Sequence, residues 1–300
     1  MSRPEVRIYE VGPRDGLQAE ATIVATDAKL RFIAMLADAG LREIEATSFV
    51  RPDAIPQLAD ADELMTQLER RPGVRYPVLV PNQRGMDRAV AAGADAICLF
   101  TAASEAYAAA NIKMTIDESL AAFAPVVSAA RQQGMWVRGY VSAAFGCPYS
   151  GEVPEGAVVA LSDRLLRLGV DELSISDTVG VATPVDVRRV LGALGTAGIG
   201  PEVLALHLHD TRGTALANVV TAMELGIRAF DASAGGTGGS PYAPGSAGNL
   251  ATEDLVYLLD REGVPSGVDL DGVLAAAQFI ASQLGRELAS KVGRAGGWPR

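Results

Sequence analysis

Short apolar segments alternate with amphipathic segments along the whole chain. Eight segments have the apolar pattern of buried strands, and most are followed by a segment whose apolar residues recur at helical spacing. The predicted strands cover 6–11, 42–47, 76–80, 95–99, 136–143, 171–176, 203–208 and 228–233. The predicted helices cover 26–39, 56–69, 82–92, 115–133, 155–168, 183–196, 213–225 and 249–261, with a further helix at 270–289.

The number of these strand–helix repeats indicates the fold. Eight repeats favour parallel strands joined by crossover helices, and a length of 300 residues fits a (β/α)8 barrel. We therefore predict an α/β fold, a TIM barrel with an additional C-terminal helix, built as a single domain over residues 1–300. An open doubly wound sheet is the alternative, but no G-x-G-x-x-G follows the first predicted strand.

Conspicuous polar residues follow the carboxyl ends of the predicted strands. Arg14 and Asp15 follow the first strand, Asp177 follows the sixth, and His207 and His209 end the seventh. In a TIM barrel these strand ends form one rim, and active-site groups lie on that rim. The sequence therefore predicts a site that is assembled from distant parts of the chain.

The only two histidines of the chain are His207 and His209. Side chains on a strand alternate between its faces, so both imidazoles point the same way. With a carboxylate from Asp15 and an amide oxygen from Asn249, they would form a mixed ligand set that suits Mg²⁺ or Mn²⁺. The simpler interpretations are structural histidines that hydrogen-bond each other, a surface ion pair for Asp15, and a helix N-cap for Asn249.

Glu45 lies within the second predicted strand. A charge inside a barrel wall is costly unless it is paired, and Arg14 is the simplest partner. The alternative is a salt bridge that faces outward.

The segment 236–246, after the eighth strand, is rich in glycine and proline. Mobile lids often have this composition, as do plain surface connectors.

Composition narrows the range of partners. The formal net charge is −10, which argues against nucleic acid because such binding requires a basic surface. No apolar run approaches the length of a membrane span, and the N-terminus lacks the apolar core of a signal peptide. Cys98 and Cys147 are too few for a disulfide framework. We therefore expect a cytoplasmic protein, compatible with a homo-oligomer, that binds neither nucleic acid nor membranes.

Several motifs, in order along nearly the whole chain, resemble those of the 3-hydroxy-3-methylglutaryl-CoA lyase family. They are EVGPRDGLQ (10–18), IEATSFVRPDAIPQLADADE (44–63), YVSAAFGCPYSGEV (140–153), SDTVGVATP (176–184), HLHDTRGTALANV (207–219) and GGTGGSPYAPGSAGNLATEDLVYLL (235–259). The resemblance implies a barrel that binds a divalent metal ion. It also implies cleavage of 3-hydroxy-3-methylglutaryl-CoA, or a related 3-hydroxyacyl-CoA, to acetyl-CoA and a keto acid. The family's metal ligands fall on Asp15, His207, His209 and Asn249.

The resemblance also assigns catalytic roles. The family's catalytic arginine falls on Arg14, where it would stabilise a thioester enolate, and its acidic helper falls on Glu45; Asp15 is a candidate base. The catalytic acid of the family is a cysteine in the glycine-rich loop, and here that position is Ser240. An alcohol is a far weaker acid than a thiol. A smaller departure is Arg212, which stands where these lyases usually carry an aromatic residue.

Three alternatives to this activity stay open. Ser240 and Arg212 favour a lyase for a different 3-hydroxyacyl-CoA or hydroxy acid. A Claisen-type condensing synthase is disfavoured, because such synthases carry TLRDGEQ and H-x-H-N-D where this chain has GPRDGLQ and HLHDT. A metal-binding protein that has lost its catalytic acid is disfavoured by the intact ligand set.

Overall fold

Parallel strands form one continuous sheet. The computed structural model describes residues 5–239 and 248–297. Within them the sheet has nine strand segments in the order β2-β1-β9-β8-β7-β6-β5-β4-β3, and each pairing is parallel. The segments are β1 (Arg7–Glu10), β2 (Glu43–Ile44), β3 (Thr47–Ser48), β4 (Val78–Leu79), β5 (Ala96–Ala102), β6 (Trp136–Ser142), β7 (Glu172–Asp177), β8 (Leu204–Leu208) and β9 (Ala229–Ala232).

β2 and β3 are two pieces of one barrel strand. β2 pairs with β1, and β3 pairs with β4. Between the two pieces, the Glu45 amide donates to Glu10 O (2.8 Å) and the Ala46 amide donates to Pro77 O (2.9 Å), so the wall is continuous. The sheet therefore closes on itself as the predicted TIM barrel, and the open doubly wound alternative is wrong.

Helices follow the strands and cover the outside of the sheet, where their apolar faces join the buried core. They are α1 (Thr26–Asp38), α2 (Ala61–Gln67), α3 (Gln83–Ala91), α4 (Glu105–Asn111), α5 (Ile116–Gln132), α6 (Glu155–Leu168), α7 (Pro184–Thr196), α8 (Ala215–Glu224), α9 (Thr252–Glu262), α10 (Leu270–Leu284) and α11 (Lys291–Ala295). In the part of the chain that the structure describes, no helix is long and apolar enough to cross a membrane.

Several predicted boundaries differ from the structure for identifiable reasons. The predicted strand 76–80 is reduced to Val78–Leu79, since Pro77 has no amide hydrogen to give to a ladder. The predicted helix 270–289 ends at Leu284 because Gly285 takes a left-handed conformation, with φ of 67°. The predicted helix 56–69 begins only at Ala61, after a short 3-10 turn. The short helices α4 and α11 were not predicted.

Candidate active site

A tight turn directly after β1 brings Arg14 and Asp15 to the carboxyl-end rim. The amides of Asp15 and Gly16 both donate to Val11 O, at 2.8 and 3.1 Å, and form one π-helical turn. A Cβ on Gly12 would lie 2.5 Å from Glu10 Oε1, so the turn needs glycine in order to close against that buried carboxylate. The turn places two adjacent charged side chains above the end of the strand.

Arg14 is held in a fixed orientation by carboxylates. Its Nε and Nη2 donate to the two oxygens of Glu45, at 2.7 and 3.0 Å, and its Nη1 donates to Asp15 Oδ1 at 2.7 Å. Tyr140 OH donates to Glu45 Oε2 at 2.6 Å. The predicted pairing of Glu45 with Arg14 is therefore present, and it is buried. Both oxygens of Glu45 are thereby occupied as hydrogen-bond acceptors.

His207 and His209 lie side by side at the end of β8, as the alternation of strand side chains requires. Their Nε2 atoms are 3.1 Å apart, and His207 Nδ1 lies 3.2 Å from Asp231 Oδ2. With Nδ1–H donating to that carboxylate, Nε2 of His207 carries the free lone pair. Burial, reinforced by the neighbouring His207, lowers the pKa of His209 to about 3. His209 is therefore a neutral imidazole, which is the form that binds metals.

Asn249 joins the same cluster from the segment before α9. It forms a backbone bridge with His209, and its Nδ2 donates to Asp15 Oδ2 (2.9 Å) and Thr237 O (3.0 Å). The helix begins at Thr252, so the N-cap interpretation of Asn249 is wrong. Gly238 passes close to this amide: its φ is 97°, and a Cβ there would lie 2.7 Å from Asn249 Nδ2.

These side chains fit a divalent cation. Asp15, His207 and His209 each offer a ligand atom within 4.8 Å of the others. Burial raises the pKa of Asp15, but Arg14 and the two histidines outweigh it and bring the pKa down to about 2, so the carboxylate is charged. Within the described residues, the buried Oδ1 of Asn249 has no hydrogen-bond partner. An orphaned amide oxygen beside a carboxylate and two imidazoles is what a bound cation would satisfy.

The structure adds buried polar residues that the sequence analysis did not single out. Asp231, Arg138 and Tyr140 are buried in the barrel interior, and Glu10 is buried on the outer face of β1, where it accepts from Thr252 Oγ1 at the start of α9. A signal for two of them was available, because Arg138 and Asp231 are single charges within otherwise apolar strands. Ser240, which the resemblance places in the catalytic acid position, lies outside the described residues.

Arg212 lies on the same rim and lines a cavity of about 390 Å³. Its Nη1 donates to Val179 O and to Gly180 O, both at 2.9 Å. Phe145, Cys147 and Val181 are among the other lining residues. The thiol of Cys147 is engaged in its own loop, where it accepts from Ser104 Oγ (3.0 Å) and the Tyr149 amide (3.4 Å).

Known proteins resemble the chain over nearly its full length. The chain is 49% identical, over 97% of its length and 84% of the relative, to the cytoplasmic 3-hydroxy-3-methylglutaryl-CoA lyase of Rattus norvegicus. A Bacillus subtilis HMG-CoA lyase structure matches with a TM-score of 0.96 and 46% identity, covering 98% of this chain and 99% of that one. An Acinetobacter baumannii HMG-CoA lyase, solved with coenzyme A and 3-methylmalate, matches with a TM-score of 0.93 and 41% identity, covering 98% and 95%.

The family profile agrees with these individual matches. It is the one described as HMGL-like, and it aligns with residues 5–280, which include every described member of the cluster on the rim. The chain therefore belongs to the HMGL-like family.

Proposed function

We propose that this protein is a metal-dependent lyase that cleaves 3-hydroxy-3-methylglutaryl-CoA to acetyl-CoA and acetoacetate. The observation that carries the proposal is the juxtaposition of Arg14 with the cation-binding side chains Asp15, His207, His209 and Asn249. Relatives with similar sequences and folds are named for this activity, and one of them was solved with coenzyme A.

The reaction breaks the bond between C2 and C3 of the acyl chain. The 3-hydroxyl gives its proton to a base, for which a water molecule is the candidate, C3 becomes the ketone of acetoacetate, and the electron pair of the broken bond passes to the thioester as an enolate. Protonation of that enolate at C2 gives acetyl-CoA. A bound divalent ion would act as a Lewis acid that lowers the pKa of the 3-hydroxyl.

Arg14 is the residue that stabilises the enolate in this proposal. Glu45 and Asp15 fix the plane of its guanidinium at the rim, so the positive charge is in place before the reaction begins. Burial strengthens this effect, because charges interact more strongly away from water.

Two of the residues named from the resemblance suit binding and positioning better than proton transfer. A pKa of about 2 makes Asp15 a weak base at neutral pH, so we assign it to metal binding. Both oxygens of Glu45 are already engaged by Arg14 and Tyr140, so we assign it to holding the guanidinium. The proton for the enolate then has to come from another group, and we keep Ser240 as the candidate.

The ion that we propose for this site is Mg²⁺ or Mn²⁺. Carboxylate and amide oxygens suit both ions, and the two imidazoles favour Mn²⁺ over Mg²⁺ in affinity. Metal analysis of the purified protein, followed by removal with EDTA and titration with each ion, identifies the one that restores turnover. A protein that is fully active after complete metal removal would contradict the proposed metal dependence.

The direct test of the reaction is acetyl-CoA release from 3-hydroxy-3-methylglutaryl-CoA with Mn²⁺ or Mg²⁺ present. We expect equal amounts of acetyl-CoA and acetoacetate. The same protein incubated with acetyl-CoA and 2-oxo acids, without the lyase substrate, tests the synthase alternative. Condensation there, without cleavage of the lyase substrate, would overturn the proposed function.

A second candidate is a lyase for a different 3-hydroxyacyl-CoA. It is favoured by Ser240 in the acid position and by the cavity beside Arg212. Ser240→Cys separates the two candidates, because a well-placed general acid contributes about 10²–10⁴-fold to a rate. If 3-hydroxy-3-methylglutaryl-CoA is the substrate, the variant should be faster on it. If the serine belongs with another substrate, wild type should be faster on that substrate and the variant should gain nothing.

A further inference from the structure

A row of alternating charges runs through the barrel interior to the proposed metal site. We call it the charge ladder, and its members in order are Arg75, Glu43, Arg7, Glu172, Arg138 and Asp231. The carboxylate of Asp231, the last member, faces the imidazole of His207. The outer cations Arg75 and Arg7 are partly exposed, whereas Arg138 and Asp231 are fully buried. The ladder therefore links the amino-end opening of the barrel to a side chain on the opposite rim.

Arg138 stands where this ladder branches. Its Nε donates to Glu172 Oε1 (2.9 Å), its Nη2 to Asp231 Oδ1 (2.6 Å) and its Nη1 to Tyr140 OH (3.2 Å). Its guanidinium also lies over the ring of Tyr9, 3.9 Å from the centroid. All three guanidinium nitrogens are engaged, so this planar group has one orientation.

The first branch from Arg138 reaches a proposed metal ligand. Asp231 accepts from Arg138 through Oδ1 and from Ser174 Oγ through Oδ2 (3.0 Å), and the same Oδ2 faces His207 Nδ1 at 3.2 Å. Arg138 and Ser174 hold the Asp231 carboxylate in place, so that its Oδ2 accepts the Nδ1 proton of His207 and fixes the plane of the ring.

The second branch reaches the proposed catalytic arginine. Tyr140 OH accepts from Arg138 Nη1 and donates to Glu45 Oε2, and Glu45 binds Arg14 through both of its oxygens. Arginine has only N–H donors, so the hydroxyl can only accept from Arg138, and its own proton is left for Glu45. Arg138 thus sets the direction of the hydrogen bond that holds Glu45.

We propose that Arg138 is the shared positioning residue of this site, which orients the metal ligand His207 through Asp231 and the catalytic Arg14 through Tyr140 and Glu45. Arg138 touches neither substrate nor metal in this inference. The branch to Arg14 rests on the proposed function. The branch to His207 rests only on metal binding.

The test compares Arg138→Lys with one variant on each branch. Lysine keeps the charge but cannot serve three partners in one plane. Each protein is stripped with EDTA, its fold is checked by circular dichroism, and Mn²⁺ affinity is measured by calorimetry without substrate. The kcat and KM for 3-hydroxy-3-methylglutaryl-CoA are then measured at saturating Mn²⁺.

The expected pattern separates the branches. Asp231→Asn should weaken Mn²⁺ binding by about 10–100-fold, the usual effect of losing a partner of a metal ligand. Tyr140→Phe should leave Mn²⁺ affinity unchanged and lower kcat by about 10-fold, with little change in KM. Arg138→Lys should show both losses. A folded Arg138→Lys protein with wild-type Mn²⁺ affinity and wild-type kcat would overturn the inference.

A second variant keeps the test decisive if Arg138→Lys does not fold. Glu172→Gln has the same shape as the wild-type side chain and removes the charge that holds Arg138 from the opposite side. We expect it to reduce Mn²⁺ affinity and kcat together, each by less than Arg138→Lys. A folded Glu172→Gln protein that changes neither would also overturn the inference.

The matched control is Arg75→Gln, which breaks an ion pair at the outer end of the same ladder. It should leave Mn²⁺ affinity and kcat unchanged. A loss as large as that of Arg138→Lys would show a general effect of ladder charge and would overturn the inference. If wild type does not cleave the proposed substrate, the proposed function fails, while Mn²⁺ affinity still decides whether Arg138 positions His207.

Discussion

The two ends of the barrel differ in whether their buried polar groups have bonding partners. At the amino end, Glu43 lies between Arg7 and Arg75, at 2.6 and 2.7 Å, so each of its oxygens has a cation. At the carboxyl end, in the part of the chain that the structure describes, the buried Oδ1 of Asn249 and Nδ1 of His209 have no hydrogen-bond partner. At the amino end the carboxylate of Glu43 is fully paired with cations, whereas at the carboxyl end these buried polar atoms are left for a ligand to bind.

This difference matches the division of labour in barrels of this kind, in which the amino end supports stability and the carboxyl end supports chemistry. Unsatisfied buried groups cost folding free energy, about 1–3 kcal/mol each. A fold tolerates them where a ligand satisfies them. Changes at the carboxyl end should therefore alter binding and rate as well as stability, whereas changes to the outer ion pairs at the amino end should alter stability alone.

The largest expected effect is the loss of metal binding in His207→Ala or His209→Ala. Each change removes one imidazole from the cluster at the carboxyl end. Metal content by mass spectrometry should fall to background, while circular dichroism should stay close to wild type. Unchanged metal content in both variants would mean that the proposed ligand set is wrong.

The next effect is on rate. Arg14→Lys keeps the positive charge but loses the planar fork that Glu45 and Asp15 orient. We expect kcat to fall by about 10²–10³-fold, as for the loss of one oxyanion donor, with a smaller change in KM. Arg75→Lys, the same substitution at the amino end, is the control and should keep its kcat. Near wild-type kcat in Arg14→Lys would exclude Arg14 from the chemistry.

A third effect is a pH dependence of stability that comes from the carboxyl end. Glu10 is fully buried and accepts from the Gly12 amide, the Ala234 amide and Thr252 Oγ1, and burial raises its pKa to about 7 from 4.5. The folded state then holds the proton more tightly than the unfolded state. Stability should therefore fall as the pH rises from about 5 to about 7, by up to about 3 kcal/mol from this group.

Urea unfolding in EDTA at several pH values measures this slope. Glu10→Gln should flatten it, because the variant has no proton to exchange at that position. A residual slope of the same sign should persist from Asp177, since burial raises its pKa to about 6. An identical slope in wild type and Glu10→Gln would show that Glu10 titrates as an ordinary carboxyl group.

The smallest effect is expected at the amino end. Glu43→Gln leaves Arg75 without its carboxylate, while Arg7 keeps Glu172. Because both arginines are partly exposed, we expect a loss of about 1–3 kcal/mol in unfolding free energy, between the values for exposed and buried pairs. The kcat should not change. A large loss of kcat with unchanged stability would reverse the comparison of the two ends.

The fold and the paired histidines His207 and His209 could be predicted because the sequence patterns that indicate them are local. Apolar periodicity marks each strand and helix, and His207 and His209 are on one face of a strand whatever the rest of the chain does. The pairing of Arg14 with Glu45 followed from the cost of an unpaired charge in a barrel wall. None of these inferences required knowledge of a register between strands.

The positioning residues could not be predicted in the same way, because their partners are set by register. Asp231 stands opposite His207 in the pairing of β8 with β9, and a shift of one residue would turn its side chain to the other face. Asn249 was ambiguous for a related reason. The segment around Asn249 is held in an extended conformation by backbone hydrogen bonds to neighbouring segments, such as Leu250 N to Leu208 O (2.9 Å). No local sequence pattern indicates this conformation.

The charge ladder also restricts how this sequence can change over time. Exchanging Arg138 for a neutral residue strands the negative charges of Asp231 and Glu172 in the interior, and exchanging Asp231 alone strands a positive one. Each single substitution therefore gives a less stable protein, whereas replacing both partners of an ion pair together leaves no unpaired charge. Among relatives of this chain, the ladder positions should therefore vary as pairs or not at all, and an aligned set of sequences would display that correlation directly.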